Sequence, residues 1–380
     1  MNTSANGSQV RRDNPAARKE IDLGSNDPRT AAPALLEKLI EDAAAAAASD
    51  IHLQMVNHCA EISFRLDGVL CPITKLGEEV SERLCGRIKY LARLKTYDSS
   101  LPQDGRIGKK EIRTENDIRV ATYPTVTGEK IVLRLFTGEG VRPIEDLGLP
   151  MEASTVLKGF LRQTSGLLLL TGPAGSGKTT TVYSCLRYLL EKPGRHVITI
   201  EDPVEQIIPG AMQTEINEAR GLTFACAARH LLRQDPQVLV IGEIRDPETA
   251  DLAIRATLTG HSIIATLHAG SARAVFDRLL AICSDRDAVI AALTLVLNQR
   301  LVRRLCSICR GAGCSACVGT GYRGRIPMVE WISIDEALRA RLRACGPGEI
   351  APHQTLKNSG SSMVENGLTS PAELLRVLGE

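Results

Sequence analysis

An apolar run, Leu168–Thr171, leads directly into the glycine-rich stretch GPAGSGKT, Gly172–Thr179, and a helical segment, VYSCLRYLL, follows. The stretch fits the pattern G-x-x-x-x-G-K-[ST] between a predicted strand and a predicted helix. Glycines at these positions let backbone N–H groups approach phosphate oxygens, and the helix directs its positive N-terminus toward them. The sequence therefore predicts an α/β domain with a nucleotide phosphate site at the end of this strand.

The polar residues of this stretch have predicted parts in binding ATP. Lys178 is expected to reach the β- and γ-phosphates, and the Thr179 hydroxyl to ligate Mg²⁺. The alternative is a glycine-rich βα turn without a ligand, which the preceding strand and the following helix disfavour. The predicted nucleotide-binding residues are Gly172, Pro173, Ala174, Gly175, Ser176, Gly177, Lys178, Thr179 and Thr180.

The remaining patterns give a coarse division of the chain. Residues 1 to about 30 are polar without an apolar period, which predicts a disordered tail. TGEGVRPIEDLGLP, rich in Gly and Pro, predicts an interdomain linker, with helices and strands before it and LPQDGRI as a loop. After the linker, apolar runs alternate with helices, as a parallel sheet requires. Both ARAVFDRLLAI and AVIAALTLVLNQRLVRRL are predicted to be helical.

Three strand ends carry groups suited to phosphate chemistry. VLVIGE ends in Glu243, which could hold Mg²⁺ through water or polarise an attacking water, and VITI leads into Glu201 and Asp202. Two acid-tipped strands after a phosphate loop favour catalysis over binding alone. His268 ends SIIATLH and could sense the γ-phosphate, although a hydrogen-bonded structural histidine is the commoner case.

The segment Asp117–Leu135, DIRVATYPTVTGEKIVLRL, predicts a β-hairpin from its alternation and its turn residues. If it folds symmetrically about Val126 and Thr127, Arg119 lies directly opposite Arg134. Like charges in that position are destabilising, and an anion between them would remove the repulsion. The alternatives are solvated arginines on a strand face, or a one-residue slip that separates them.

Four of the eleven cysteines lie close together in the repeat C-x-x-C-x-G-x-G. Two C-x-x-C pairs suit tetrahedral Zn²⁺, and the glycines let backbone amides turn toward the sulfurs. An iron–sulfur cluster and free or redox-linked thiols remain open, and the unit also resembles the cysteine-rich repeats of Hsp40 chaperones. The predicted metal ligands are Cys306, Cys309, Cys314 and Cys317.

Composition limits the partners. The net charge is +2 and aromatic residues make up 3%, which argues against a nucleic-acid surface. No apolar signal region follows the N-terminus, and the longest strongly apolar run, VIAALTLVL, is too short to span a bilayer. We therefore expect a soluble cytoplasmic protein of two domains with reduced cysteines.

Several longer motifs resemble one family. GPAGSGKTTT, ITIEDPVE, LRQDPQVLVIGEIRDPETADLAIRATLTGH and ATLHA are similar to the Walker A, Asp-box, Walker B and His-box elements of type II secretion and type IV pilus assembly ATPases. The similarity extends upstream through ASDIHL, FRLDGVL, LPQDGRI and the hairpin. Downstream it extends through QRLVRRLC and CSACVGTGYRGRIPMVEW, so that it covers roughly residues 33 to 380.

This resemblance implies a PAS-like N-terminal domain and a RecA-like P-loop ATPase domain with a tetracysteine zinc element and C-terminal helices. It also implies a homo-hexameric motor, peripheral to the inner membrane, that acts on a polytopic platform protein. The tetracysteine element favours the extension type over the retraction type. The expected divisions are a tail 1–30, a PAS-like domain 31–137, a linker 138–150, an ATPase core 151–300, a zinc element 301–330 and a helical region 331–380.

The resemblance also assigns roles by position. Glu243 becomes the general base or water orienter, Glu201 the accessory acid and His268 the His-box residue. The hairpin arginines Arg119 and Arg134 would contact a nucleotide phosphate, with Arg106 joining them. Two rival hypotheses stay open: a ring-shaped nucleic-acid translocase on the same core, and a non-hydrolysing nucleotide-binding scaffold. The sequence departs from the family in the short spacing of its cysteine pairs and in having only a polar tail where larger relatives carry a recruitment domain.

Overall fold

A computed structural model of the chain describes residues 28–112, 114, 116–135, 140–191 and 194–379. Residues 1–27 of the predicted disordered tail lie outside the described residues, and so do residues 138 and 139 of the predicted linker. The chain forms two compact units, one of residues up to 138 together with 306–323, the other of residues 139–305 and 324–380. In the described part of the chain no helix combines the length and the apolar character that crossing a membrane demands.

The first unit contains a six-stranded sheet in the order β3-β2-β1-β6-β5-β4, in which every neighbouring pair is antiparallel. Its strands are β1 Asp50–Val56, β2 Cys59–Leu66, β3 Val69–Leu76, β4 Gln103–Ile107, β5 Ile118–Thr125 and β6 Gly128–Leu135, and its helices are α1 Pro28–Ala45 and α2 Glu78–Leu91.

Alternation builds the core of this unit. In β2, Ala60, Ile62, Phe64 and Leu66 are buried between half-buried neighbours, and they pack with apolar residues of both helices. Such a period of two is what one buried sheet face requires.

The prediction of a loop at LPQDGRI is wrong, because Gln103–Ile107 is the edge strand β4. Ile107 is its only fully buried residue, so the segment carries almost no apolar signal. The strand is held instead by pairing with β5 and by Gly105, where a Cβ would lie 2.4 Å from the backbone oxygen of Ala92.

The predicted hairpin is confirmed, both in its two strands and in the register between them. Strand β5 pairs with β6 so that Thr125 faces Gly128 and Arg119 faces Arg134. On the other side of β5, Arg106 faces Arg119. Three arginines therefore occupy one row across three neighbouring strands.

The second unit is built on a seven-stranded sheet in the order β13-β12-β7-β11-β10-β8-β9, and the neighbours from β12 to β9 are parallel. The strands are β7 Gly166–Thr171, β8 Val197–Glu201, β9 Met212–Glu215, β10 Val238–Ile241, β11 Ser262–Leu267, β12 Leu293–Leu305 and β13 Tyr322–Ser333. The helices are α3 Met151–Leu161, α4 Lys178–Leu190, α5 Phe224–Leu231, α6 Pro247–Leu258, α7 Ala272–Ile282, α8 Arg286–Ala292, α9 Glu336–Cys345, α10 Leu356–Glu365 and α11 Pro371–Leu378.

Both faces of this sheet are covered, which confirms the α/β class. In β7, Leu167 and Leu169 pack with residues of α5 to α9, whereas Leu168 and Leu170 pack with α3 and α4. A strand buried on both sides reads as a continuous apolar run, and β7 does. The helices cover the sheet while leaving its carboxyl edge to the loops.

The prediction of a helix over AVIAALTLVLNQRLVRRL is wrong beyond its first turns. Helix α8 ends at Ala292, and Leu293–Leu305 forms the 13-residue strand β12 between β7 and β13. Interior burial gives LTLVL the same continuous apolar pattern as a buried helix, and periodicity alone does not separate the two. The sequence patterns also missed α3, β9, β13 and α10.

Candidate active site

The glycine-rich loop follows β7 and ends at the first residue of α4, as predicted. Gly172 and Gly177 have φ of 142° and 87°, in the region that favours glycine. A Cβ at Gly172 would lie 2.3 Å from the backbone oxygen of Gln299, and one at Gly177 would lie 2.7 Å from its Nε2. The loop therefore rests directly on β12, with the N-terminus of α4 directed into it.

Lys178 folds back over this loop. Its Nζ donates to the carbonyl oxygens of Gly172 at 2.8 Å and Pro173 at 3.0 Å. Burial lowers the pKa of Lys178, an effect that Glu243 partly offsets and Arg300 strengthens. Thr179, the predicted magnesium ligand, is exposed in the first turn of α4.

Gln299 is a residue of this site that the sequence analysis missed. It is buried, its Nε2 donates to the backbone oxygen of Ser176 at 2.7 Å, and its Oε1 accepts from the Thr181 hydroxyl at 3.0 Å. These bonds fasten the loop and the first turn of α4 to β12. The Ser176 hydroxyl is also buried and has no hydrogen-bond partner among the described residues. A buried donor facing a loop of this type fits an oxyanion ligand.

The end of β11 is locked to the end of β7. The Thr171 hydroxyl accepts from the Ala269 backbone N–H at 2.9 Å and donates to the Ala269 oxygen at 3.1 Å. This contact places His268 beside the loop, where its Nδ1 is 3.1 Å from the Gly172 oxygen.

His268 also contacts the predicted base. Its Nε2 lies 3.1 Å from Oε1 of Glu243, whose side chain is 19% exposed. Both ring nitrogens of His268 therefore lie within hydrogen-bonding distance of an oxygen acceptor. The structure brings Lys178, Glu243 and His268 together around Gly172.

Arg245 is a second residue that the sequence analysis missed. Its Nε donates to Oε2 of Glu243 at 2.7 Å, its Nη1 lies 3.2 Å from Oδ2 of Asp202, and its guanidinium lies over the Phe224 ring. The hydrogen bond to Glu243 raises the pKa of Arg245. Glu243 is thus held from both sides, by an imidazole and by a guanidinium. The only signal in the sequence is that Arg245 lies two residues beyond the acid.

Glu201 lies in a network of its own. Its buried carboxylate accepts from the hydroxyls of Tyr183 and Thr199, both at 2.5 Å, and from Nε2 of Gln213 at 3.0 Å. Burial, together with the bond to Glu201, raises the pKa of the Tyr183 phenol. Within the described residues, no hydrogen bond or ion pair joins Glu201 to Lys178, Glu243 or His268. The structure thus places this predicted acid against α4.

The predicted arginines lie in the first unit, and two of them have carboxylate partners. Nε of Arg134 lies 2.9 Å from Oδ1 of Asp50, and Nε of Arg106 lies 2.8 Å from Oδ2 of Asp117. The sequence analysis expected an anion beside the arginines but did not consider Asp50, although ASDIHL contains it. At Arg134 the chain itself supplies an anion.

The four predicted metal-ligand cysteines are gathered in one cluster. Sulfur–sulfur distances are 3.9 Å for Cys306 and Cys314, 3.7 Å for Cys309 and Cys317, and 3.7 Å for Cys314 and Cys317. A Zn–S bond of about 2.3 Å in a regular tetrahedron gives sulfur–sulfur edges of about 3.8 Å. Backbone amides of Gly313 and Gly321 point at the sulfurs of Cys309 and Cys317, both at 3.3 Å. The short spacing of the pairs is therefore compatible with tetrahedral coordination.

Residues 26–376 match the family model described as Type II/IV secretion system protein. The chain belongs to this family. The type II secretion system protein HxcR of Pseudomonas aeruginosa is 38% identical over 90% of this chain and 76% of its own length. The type IV pilus assembly ATPase PilB of Thermus thermophilus is 37% identical over 91% of this chain and 43% of its own length.

Solved structures of the same kind support the fold of this type II/IV secretion family member. The crystal structure of the pilus retraction motor PilT with bound ADP aligns with a TM-score of 0.63 and 25% identity. The alignment covers 90% of this chain and 96% of the PilT chain. The described α/β architecture is therefore the architecture of that motor.

Proposed function

We propose that this chain hydrolyses ATP to drive assembly of a type II secretion pseudopilus or a type IV pilus. The observation that carries the proposal is the meeting of Lys178, Glu243 and His268 around the phosphate loop of a parallel sheet. The named relatives are secretion and pilus proteins. They lend no support to a nucleic-acid translocase or to a non-hydrolysing scaffold.

The roles follow from the contacts. Backbone amides of the loop bind the phosphates of ATP, and Lys178 exchanges two carbonyl partners for phosphate oxygens. Glu243 orients and deprotonates the attacking water, while His268 links it to Gly172, so that a shift of the loop reaches the acid. Thr179 would hold Mg²⁺, and the ion would supply positive charge beside the phosphates. Glu201 contributes indirectly, by fixing the end of β8 against α4.

The assembly is part of the same proposal. Six copies form a ring on the cytoplasmic side of the inner membrane, attached peripherally, and act on a polytopic platform protein. Arg134 and Arg119, with Arg106, then supply positive charge to ATP bound by another copy. An arginine delivered in this way raises the hydrolysis rate by about 10³ to 10⁵ in other NTPases.

Domain identity and zinc complete the proposal. Residues 31–137 form a PAS-like domain, which the linker 138–150 joins to a RecA-like core that begins at residue 151. The cysteine cluster binds Zn²⁺ structurally, since its sulfur geometry matches tetrahedral coordination. Cys306, Cys309, Cys314 and Cys317 would supply all four ligands, leaving no position for a substrate.

Steady-state phosphate release tests the proposed activity. Lys178→Ala should abolish ATP turnover while circular dichroism shows an intact fold, because the loop then lacks its only amine. Lys75→Ala is the matched control, since Lys75 pairs with Glu61 on the sheet of the first unit. Phosphate release by Lys178→Ala at the rate of the unmodified chain would overturn the proposal.

A further inference from the structure

Asp50 occupies an unusual position for a carboxylate. It is the first residue of β1, and the strand register places it between Arg65 of β2 and Arg134 of β6. Its side chain is only 4% exposed. Aspartate is almost never this buried without partners, so the residues around it explain why it is there.

The two oxygens of Asp50 are used differently. Oδ1 accepts from Nε of Arg134 at 2.9 Å. Oδ2 accepts from the Ser49 hydroxyl at 2.8 Å and lies 3.4 Å from Nε of Arg65. Burial alone would raise the pKa of Asp50, but the bonds from Arg134 and Ser49 hold it below its usual value. The carboxylate is therefore a fixed negative charge aimed at one edge of Arg134.

The Arg134 side chain is anchored at one end and accessible at the other. It is 63% exposed, although its partner is buried. Among the described residues, the one hydrogen bond found for its guanidinium is that of Nε. The two terminal amino groups form a second edge of the guanidinium, which can bind a phosphate in bidentate fashion.

The row of arginines makes such an anchor necessary. Arg119 lies between Arg106 and Arg134, and like charges directly opposite each other repel. An exposed arginine without an anchor samples many rotamers and loses that freedom when a ligand orders it. Fixing the side chain in advance removes much of that cost.

We propose that Asp50 is a positioning residue that orients Arg134 for contact with a nucleotide phosphate. Asp50 holds Nε, while no hydrogen bond to another described residue occupies the two terminal amino groups of the exposed Arg134 side chain. This inference rests on the proposed function, because it requires that Arg134 acts on ATP. Asp50 itself does not touch the nucleotide.

The experiment is a double-mutant cycle on ATP turnover by the full chain. Asp50→Asn should lower kcat by about tenfold or more with KM for ATP changed less than about twofold, since misplacement of a group costs rate. In the Arg134→Ala background the same substitution should have no further effect on kcat, because its effect passes through Arg134. Asp50→Glu should restore part of the lost rate.

Arg65→Ala is the matched control, since it removes the other guanidinium beside Asp50 and should leave kcat within about twofold. Equal losses from Asp50→Asn with and without Arg134 would overturn the inference, because they indicate a general structural role. A kcat for Asp50→Asn equal to that of the unmodified chain would also overturn the inference. If Asp50→Asn does not fold, Ser49→Ala, which loosens the same carboxylate, takes its place in the cycle. Normal turnover by Arg134→Ala alone would instead contradict the arginine role in the proposed function.

Discussion

Glu243 shows how much of the candidate site depends on side chains that carry no motif of their own. His268 and Arg245 hold its two oxygens, and Arg245 also reaches Asp202 at the end of β8. A carboxylate held in this way has one orientation before any ligand binds, as the proposed base requires. Preorganisation of this kind contributes to rate and not to ground-state binding.

We expect Arg245→Gln to lower kcat by about tenfold or more, with a smaller change in KM for ATP, because Glu243 loses the partner of Oε2. Arg245→Lys should recover less than half of the loss, since an ammonium group does not bridge two carboxylates as a guanidinium does. Steady-state phosphate release measures both. An unchanged kcat in Arg245→Gln would mean that His268 alone orients the acid.

Gln299 leads to a prediction about binding. Gln299→Ala should raise KM for ATP more than it lowers kcat, because the loop loses its attachment to β12. It should also lower the free energy of unfolding by about 1–3 kcal/mol, since Thr181 and the Ser176 carbonyl lose buried partners. Urea melts and ATP titrations measure the two effects. Thr181→Val should cost less in the Gln299→Ala background than alone, and additive costs would contradict the shared bond.

At the scale of elements, the sequence predicted helices and strands correctly where hydrophobic periodicity and turn residues agreed. The phosphate loop with β7 and α4, and the β5–β6 hairpin with Arg119 opposite Arg134, follow from sequence. Strand β12 does not, because burial on both faces removes the alternation that distinguishes a strand. Gln299 was missed for that reason, and Asp50 because its partner lies 84 positions away in the chain.

Helix α11 is fastened to β12 by an acid whose charge depends on pH. Glu373 is fully buried and accepts from Arg303 and Arg376. Burial opposes its ionisation, but the bonds from Arg376 and Arg303 prevail and lower its pKa to about 2. Because the pKa of Glu373 is lower in the folded chain than in the unfolded chain, its ionised form stabilises the fold at pH values above the unfolded-state pKa. This stabilisation is lost as the pH falls toward the folded-state pKa.

We therefore expect the stability contributed by Glu373 to be complete above about pH 4.5 and to disappear as the pH falls toward 2. Thermal melts across this range measure it. Glu373→Gln should lower the melting temperature at neutral pH and flatten the decline on the acid side. Glu365→Gln, on the neighbouring helix α10, serves as the control. An acid limb identical in Glu373→Gln and the unmodified chain would show that other carboxylates are responsible.

The cysteine cluster is an element whose stability should depend on metal. We expect one Zn²⁺ per chain by elemental analysis and a lower melting temperature after chelation, because four thiolates at these distances repel without a cation. Cys306→Ser with Cys317→Ser should remove the metal, whereas Cys345→Ser, an exposed cysteine outside the cluster, should retain it. A metal-free purified chain with an unchanged melting temperature would contradict this.

At the scale of the whole molecule, the base and the arginines belong to different compact units. The proposed ring predicts that they act from different copies. Arg134→Ala and Glu243→Gln chains, each strongly slowed alone, should recover part of the ATPase activity when mixed, because some sites then combine an intact Glu243 with an intact Arg134. Mixed assemblies are verified by two affinity tags, and their failure to recover activity would contradict action between copies.

Strand β12 contacts both the phosphate loop and helix α11 of the second unit. Gln299 holds the phosphate loop, and four residues further along Arg303 holds Glu373 of α11, about 13 Å away in an extended chain. The next residue after the strand is Cys306. A covalent backbone hardly stretches, so a nucleotide that moves β12 along its axis through Gln299 would also displace Arg303 and its ion pair with Glu373.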